Sequence, residues 1–154
     1  MKKSKGNRKG LEMVDITEKA DVRREAVAQG QIRLKPGTIA AIKQGKVGKG
    51  DVLEVSCVAG VMAAKRTPEL IPACHTIPIT RVDVDFGIGH ASVKAICKVT
   101  TVSKTGVEME ALTGVAVALL SVWDMVKELE KDENGQYPTV AIERIRVLRK
   151  VKGH

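Results

Sequence analysis

From Val22 to Leu34 the chain reads as an extended segment that stops at Pro36-Gly37, where a fixed φ meets a residue with no side chain. Two helical pieces follow, Thr38 to Gln44 and Asp51 to Arg66, separated by the loop GKVGKG. The glycines there leave the backbone free to approach a ligand. In RVDVDF, Val82, Val84 and Phe86 alternate with Arg81, Asp83 and Asp85. In ASVKAICKV, Ala91, Val93, Ala95, Cys97 and Val99 alternate with Ser92, Lys94, Ile96 and Lys98. A period of two marks half-buried strands, and the GIG between them predicts a hairpin. A long helix is then expected over Glu108 to Lys131, its core stripe being Leu112, Val115, Leu119, Val122, Val126 and Leu129. Its opposite face carries Val117 and Leu120 before turning polar at Asp124, Lys127, Glu128 and Lys131, so this helix is expected to be covered twice, by its own sheet and by another subunit. After the Asn134-Gly135 turn, TVAIERIRVLRKV reads as a closing strand. The order strand, helices, strand, strand, helix, strand is that of an α+β ferredoxin-like sandwich, an antiparallel sheet with helices packed on one face.

The chain has 154 residues, 44% apolar and 29% charged. That mix suits a single globular domain, read as residues 11–154 after a flexible basic tail over residues 1–10. The uncharged run from Ala111 to Trp123 is shorter than a membrane span, and the basic start is followed by no apolar segment. Cys57, Cys74 and Cys97 are odd in number and unrelated in spacing, which argues against a disulfide framework. A cytoplasmic protein is expected. The net charge of +8 favours a polyanionic partner. Aromatic residues amount to 2%, namely Phe86, Trp123 and Tyr137, none in an RNA-binding string. This moves the weight from a nucleic-acid-binding module of ferredoxin-like fold towards a small phosphorylated ligand.

Four stretches carry candidate chemistry. In LIPACHTIPI, Cys74 and His75 are adjacent rather than spaced as metal-ligand pairs, and neighbours in an extended segment point to opposite sides. No metal site is expected, and His75 is either a packed loop residue or one that holds a ligand. In SVWDMVKELEK, Asp124 and Lys127 are three apart and adjacent on a helix, either a surface ion pair or a proton-transfer pair. Glu108 and Glu110 share a face in a strand and diverge in a helix, where acidic residues in the first turn also favour the dipole. Lys65 and Arg66 sit near a helix C-terminus, where the dipole alone accounts for them. Lys49, between glycines, resembles a phosphate contact, although GxxGKGD is not a Walker sequence.

Taken together, MVDI, KGDV, AGVMAAKRTPELIPACH and KTGVEMEALTGVAVALLSVWDMVK resemble the molybdenum cofactor biosynthesis protein C family, over about residues 13 to 150. The resemblance implies a lyase that converts 3′,8-cyclo-7,8-dihydroguanosine 5′-triphosphate to cyclic pyranopterin monophosphate and releases diphosphate. It implies catalytic roles for Asp124, Lys127 and Lys49. It implies substrate binding by Ala73, Cys74, His75, Met109, Glu110, Glu108 and Lys65, with His75 as the clamp. Lys150 matches a lysine near the family's C-terminus, although this chain ends in KVKGH without the usual glycine- and serine-rich continuation. No resident cofactor is implied, magnesium being at most a companion of the triphosphate. The implied assembly is a hexamer, a trimer of dimers. On one straight helix Glu110 and Asp124, fourteen positions apart, are separated by about 21 Å. The expectation is a site shared between subunits.

Overall fold

The computed structural model describes residues 9–153, so the expected basic tail lies almost wholly outside the described residues. The elements are β1 (Val22–Arg33), α1 (Pro36–Lys43), α2 (Val52–Lys65), α3 (Thr67–Leu70), β2 (Ile79–Ile88), β3 (Ser92–Ser103), α4 (Glu108–Glu130) and β4 (Ala141–Lys152). The strands form one sheet in the order β2-β3-β1-β4, and every adjacent pair is antiparallel. This is the expected α+β arrangement, compatible with a ferredoxin-like fold. The β2–β3 hairpin is present, and β1 is central because both crossovers, α1–α2 and α4, return the chain to its edges.

The core lies between the sheet and α4. Ala26, Ala28 and Ile32 of β1 and Val93, Ala95, Cys97 and Val99 of β3 are buried with Val115, Leu119, Val122 and Val126 of α4. By length and composition α4 passes for a membrane span, yet much of it is buried as the core helix of this domain. The expected stripe departs from this at its end. Leu129 is 45% exposed, because the side chain of the last turn that turns inward is Glu130.

A further face of α4, at Gly114, Ala118 and Ser121, is covered by α2 of the same chain, while Leu120, on the face expected to meet another subunit, is 56% exposed. Small residues let α2 lie against α4. A Cβ on Gly60 would be 3.0 Å from the Gly114 carbonyl oxygen and 3.2 Å from the Ala118 Cβ, and the Ser56 hydroxyl donates to Ser121 at 3.0 Å. A Cβ on Gly114 would in turn be 2.6 Å from the Cys97 Sγ of β3 and 3.3 Å from the Gly60 carbonyl oxygen. Backbones can approach this closely only where side chains are absent. What remains uncovered on the helical layer is an apolar outer surface that includes Val55, Val58, Met62, Met109 and Leu120.

Two features were not read from the sequence. The four-residue α3 begins at Thr67 with Pro68 in its first turn, where a missing N–H costs nothing, and the Thr67 hydroxyl donates to the Ala63 and Ala64 carbonyls. In β4 the register with β1 shifts twice, and Arg144 takes φ +59°, which carries the strand past Gly30.

Candidate active site

The polar cluster at the C-terminal part of α4 is assembled from a helix and a loop. Asp124 and Lys127 are one turn apart, and the Lys127 Nζ lies 3.1 Å from Asp124 Oδ1. From the glycine loop, Lys49 Nζ donates to Asp124 Oδ2 at 3.0 Å and to its backbone carbonyl at 2.9 Å. The loop can deliver this lysine because Gly50 takes φ +121°, which L side chains rarely adopt. Asp51 then caps α2 by accepting from the Glu54 N–H at 2.9 Å, and Val47 anchors the loop in the core. The hydrogen bonds from Lys49 and then Lys127 hold the Asp124 carboxyl below its ordinary value. The cluster is an ionised carboxylate gripped by two cations and open to solvent.

A second group gathers around the start of α4. In the helix Glu108 and Glu110 diverge. Burial works to raise the pKa of Glu108, but the Lys150 ammonium, 2.9 Å from its Oε1, outweighs it and the pKa falls. Glu110 is only 1% exposed, and neither carboxylate oxygen has a hydrogen-bond partner among the described residues. Burial, with the charge of Glu108 added, pushes its pKa up. Burial and then the charge of Glu110 raise the Cys74 thiol, which argues against a thiolate nucleophile there.

Beside it, the His75 Nε2 lies 2.6 Å from the Val14 carbonyl oxygen. A carbonyl oxygen only accepts, so Nε2 carries the proton and the Nδ1 of a neutral ring is left as an acceptor. Met13, Val14, Asp15, Ile16, Thr17, His75 and Lys104 line one hollow. Lys104 Nζ holds it shut at one end by donating to the Thr17 carbonyl at 2.6 Å. Asp15, whose pKa is lowered mainly by the Thr17 hydroxyl, and Lys104 were not singled out in the sequence. Their numbers are far apart, and MVDI carries no chemical signature of its own.

The eleven expected site residues therefore do not converge within one chain. Asp124, Lys127 and Lys49 meet at one end of α4. Glu108, Glu110, Cys74, His75 and Lys150 lie about the other end, with Met109 and Ala73 exposed beside them. Lys65 stands apart at the C-terminus of α2, over a second hollow with Val61, Ile77 and Arg81. Among the described residues no three His, Cys, Asp or Glu side chains gather as a metal site would require.

Comparison with known proteins supplies an independent line. The model of the MoaC family matches residues 13–153. A probable cyclic pyranopterin monophosphate synthase of Thermococcus kodakarensis is 59% identical over 145 residues, covering 94% of this chain and 93% of the relative. A protein of the same name from Archaeoglobus fulgidus is 59% identical over 143 residues, 93% of this chain and 92% of its own. One from Pyrococcus furiosus is 52% identical over 152 residues, with coverage of 99% and 97%.

Proposed function

Since the chain belongs to the MoaC family, we propose that it is a cyclic pyranopterin monophosphate synthase, a lyase of molybdenum cofactor biosynthesis acting in the cytoplasm. Its substrate is 3′,8-cyclo-7,8-dihydroguanosine 5′-triphosphate and its products are cyclic pyranopterin monophosphate and diphosphate. The nucleic-acid-binding alternative is set aside.

The observation that carries the reading to particular residues is the grip of Lys49 and Lys127 on Asp124. Closing the cyclic phosphate forms one bond from a substrate hydroxyl to the α-phosphorus and breaks the bond from that phosphorus to the diphosphate oxygen. The hydroxyl must lose a proton, and the leaving oxygen gains negative charge. An ionised Asp124 is suited to accept protons, and Lys127 to supply one to the opening purine remnant. Lys49 and Lys65 are suited to meet phosphate charge, which they stabilise most as it builds on the leaving oxygen. Magnesium, if it accompanies the triphosphate, belongs to the substrate. His75 is the clamp, with Nδ1 free to accept from the base or from a protonated phosphate. Ala73, Cys74, Met109, Glu108, Glu110 and Lys150 complete the substrate pocket. The test is diphosphate release from that triphosphate, with Asp124→Asn expected to lower it by about 10² to 10⁴-fold. Undiminished release by the variant overturns the assignment.

The two half-clusters favour a site completed by a second chain. Val117 is midway between Glu110 and Asp124, so two α4 helices crossing antiparallel at Val117 bring each Asp124 beside the other chain's Glu110. The exposed Met109 and Leu120 give that crossing an apolar seam, and such dimers are the units of a hexamer. Mixing inactive Asp124→Ala and Glu110→Ala chains under subunit exchange should return roughly a quarter of the activity, one intact site in each mixed dimer. No recovery overturns sharing.

A further inference from the structure

Glu130, in the last turn of α4, is fully buried, and the enzymatic reading does not use it. Its Oε1 accepts from the Lys35 backbone N–H at 2.8 Å, and its Oε2 has no hydrogen-bond partner among the described residues. Where no water reaches, an apolar side chain would be the stabilising choice, because a buried polar atom without a partner costs free energy. What the carboxyl group adds, and an apolar side chain lacks, is the bond to Lys35. Lys35 is the N-cap of α1, extended at φ −62° and ψ 143°, and its own side chain makes no capping bond. In a helix that caps itself, a Glu or Gln three residues after the N-cap accepts from the N-cap N–H. Here that place holds Thr38, whose buried hydroxyl has no partner among the described residues. Glu130 reaches across from α4 and accepts in its stead, so the start of α1 is fastened to the end of α4.

The segment that begins at Lys35 returns to α4 at its other end, where Lys49 Nζ donates to Asp124 Oδ2 and to the Asp124 carbonyl. Among the described residues these bonds and the one to Glu130 are the only hydrogen bonds that tie residues 35–49 to α4. Between them α1 passes into the glycine loop through bonds from the Gln44 N–H to the Ala40 carbonyl and from the Lys46 N–H to the Ala41 carbonyl. Along α4, Asp124 and Glu130 are separated by about 9 Å and by about 120° around the axis. The segment is thus fastened on the buried side of α4 and comes round to its exposed side, where it presents Lys49.

We propose that Glu130 is a positioning residue for the reaction: by holding the start of α1 against the end of α4, it fixes where the glycine loop sets out and so brings Lys49 to Asp124. The inference rests on the catalytic reading of that pair. The positioning is done by the acceptor oxygen and not by negative charge, since the partner is a neutral backbone N–H. A glutamine in the same place keeps that acceptor, whereas a methionine of similar length has none.

The test compares the full chain as wild type, Glu130→Gln and Glu130→Met, with circular dichroism to check folding. Two quantities are read: the titration of the Asp124 carboxyl by carbon-detected NMR without substrate, and kcat and KM for diphosphate release. Glu130→Gln should match the wild type in the titration and stay within about twofold in kcat. In Glu130→Met the Asp124 carboxyl should titrate higher, as Lys49 draws away, and kcat should fall by about 10- to 100-fold with less change in KM, a loss that a displacement of about 1 Å is enough to produce. A Glu130→Met protein that is only less stable, with the Asp124 titration and kcat of the wild type, makes Glu130 a purely structural residue and overturns the inference. So does a Glu130→Gln protein as impaired as Glu130→Met. Should Glu130→Met not fold, the wild type decides by hydrogen exchange: the Lys35 amide should be strongly protected, and exchange as fast as that of an exposed amide overturns the inference. Because the titration needs no substrate, a wild type that releases no diphosphate refutes the proposed reaction, while the link from Glu130 to Lys49 and Asp124 still stands or falls on the titration.

Discussion

Replacing Gly114 by alanine puts a methyl group where the structure leaves 2.6 Å to the Cys97 Sγ and 3.3 Å to the Gly60 carbonyl oxygen. Ordinary van der Waals contact begins near 3.4 Å, and Cys97 is fully buried on a central strand and has nowhere to swing. Either α4 lifts from β3 or the strand bends, which for an overpacked core costs about 1 to 3 kcal/mol. Against this, alanine is better than glycine inside a helix by about 1 kcal/mol. The net expectation for Gly114→Ala is a loss of up to about 2 kcal/mol, which the propensity scale alone would predict as a gain. Cys97→Ala removes the obstructing sulfur and leaves a small void worth about 1 kcal/mol. In the double variant the new methyl group occupies that void, so its stability should exceed the sum of the two single effects by about 1 to 2 kcal/mol, within the range of couplings seen for residues in contact. Urea unfolding of the four proteins, followed by circular dichroism at constant m-value, measures this coupling. Additivity within about 0.5 kcal/mol would refute the close approach of α4 to β3.

Burial raises the Glu110 pKa, so the native chain holds that proton more tightly than the unfolded chain. Its contribution is therefore best below the unfolded value of 4.5 and is lost as pH rises through the native one. Glu110→Gln should be more stable than wild type by about 1 to 3 kcal/mol near pH 8 and no more stable near pH 4, as thermal melts at the two pH values would show. Glu25 behaves oppositely. Burial alone would raise its pKa, but the hydrogen bond and charge of Lys98, with Arg23 and Arg149, bring it below 4.5. Glu25→Gln should lower the melting temperature at pH 7, and the deficit should close as pH falls through the depressed native value, where the wild type too loses its charge. Lys49→Met removes the first cause of the low Asp124 pKa. The Asp124 carboxyl should then titrate higher in a carbon-detected NMR titration, and turnover should fall about 100-fold or more.

Elements with a clear period were legible. The alternation in Arg81–Phe86 and in Ser92–Val99 and the step of three and four from Leu112 to Val126 describe surfaces with one buried face, and β2, β3 and α4 have them. Four residues are too few for a helical period, which is why α3 could not be read at Thr67–Leu70. The packing of α2 on α4 was not legible for a different reason. It depends on Gly60 meeting Gly114 and Ala118, a contact between residues far apart in sequence. The trio of Lys49, Asp124 and Lys127 joins a legible i,i+3 pair to a lysine that only the loop geometry delivers. Asp15 and Lys104 beside His75 had no local signal, since their association is created by three chain segments meeting at one end of the sheet.

The long helix joins the two half-clusters as a ruler does. Asp124 and Glu110 are on one unbroken α-helix, so their separation and relative bearing are set by backbone rise and twist and not by loop conformation. A side-chain exchange between them leaves that calibration intact. A single inserted residue lengthens it by about 1.5 Å and turns one half by about 100° relative to the other, and no neighbouring loop can undo the turn. The segment from Glu110 to Asp124 is therefore permissive in composition at its surface and strict in length, whereas the glycine loop that carries Lys49 is the place where the chain can absorb a change of length.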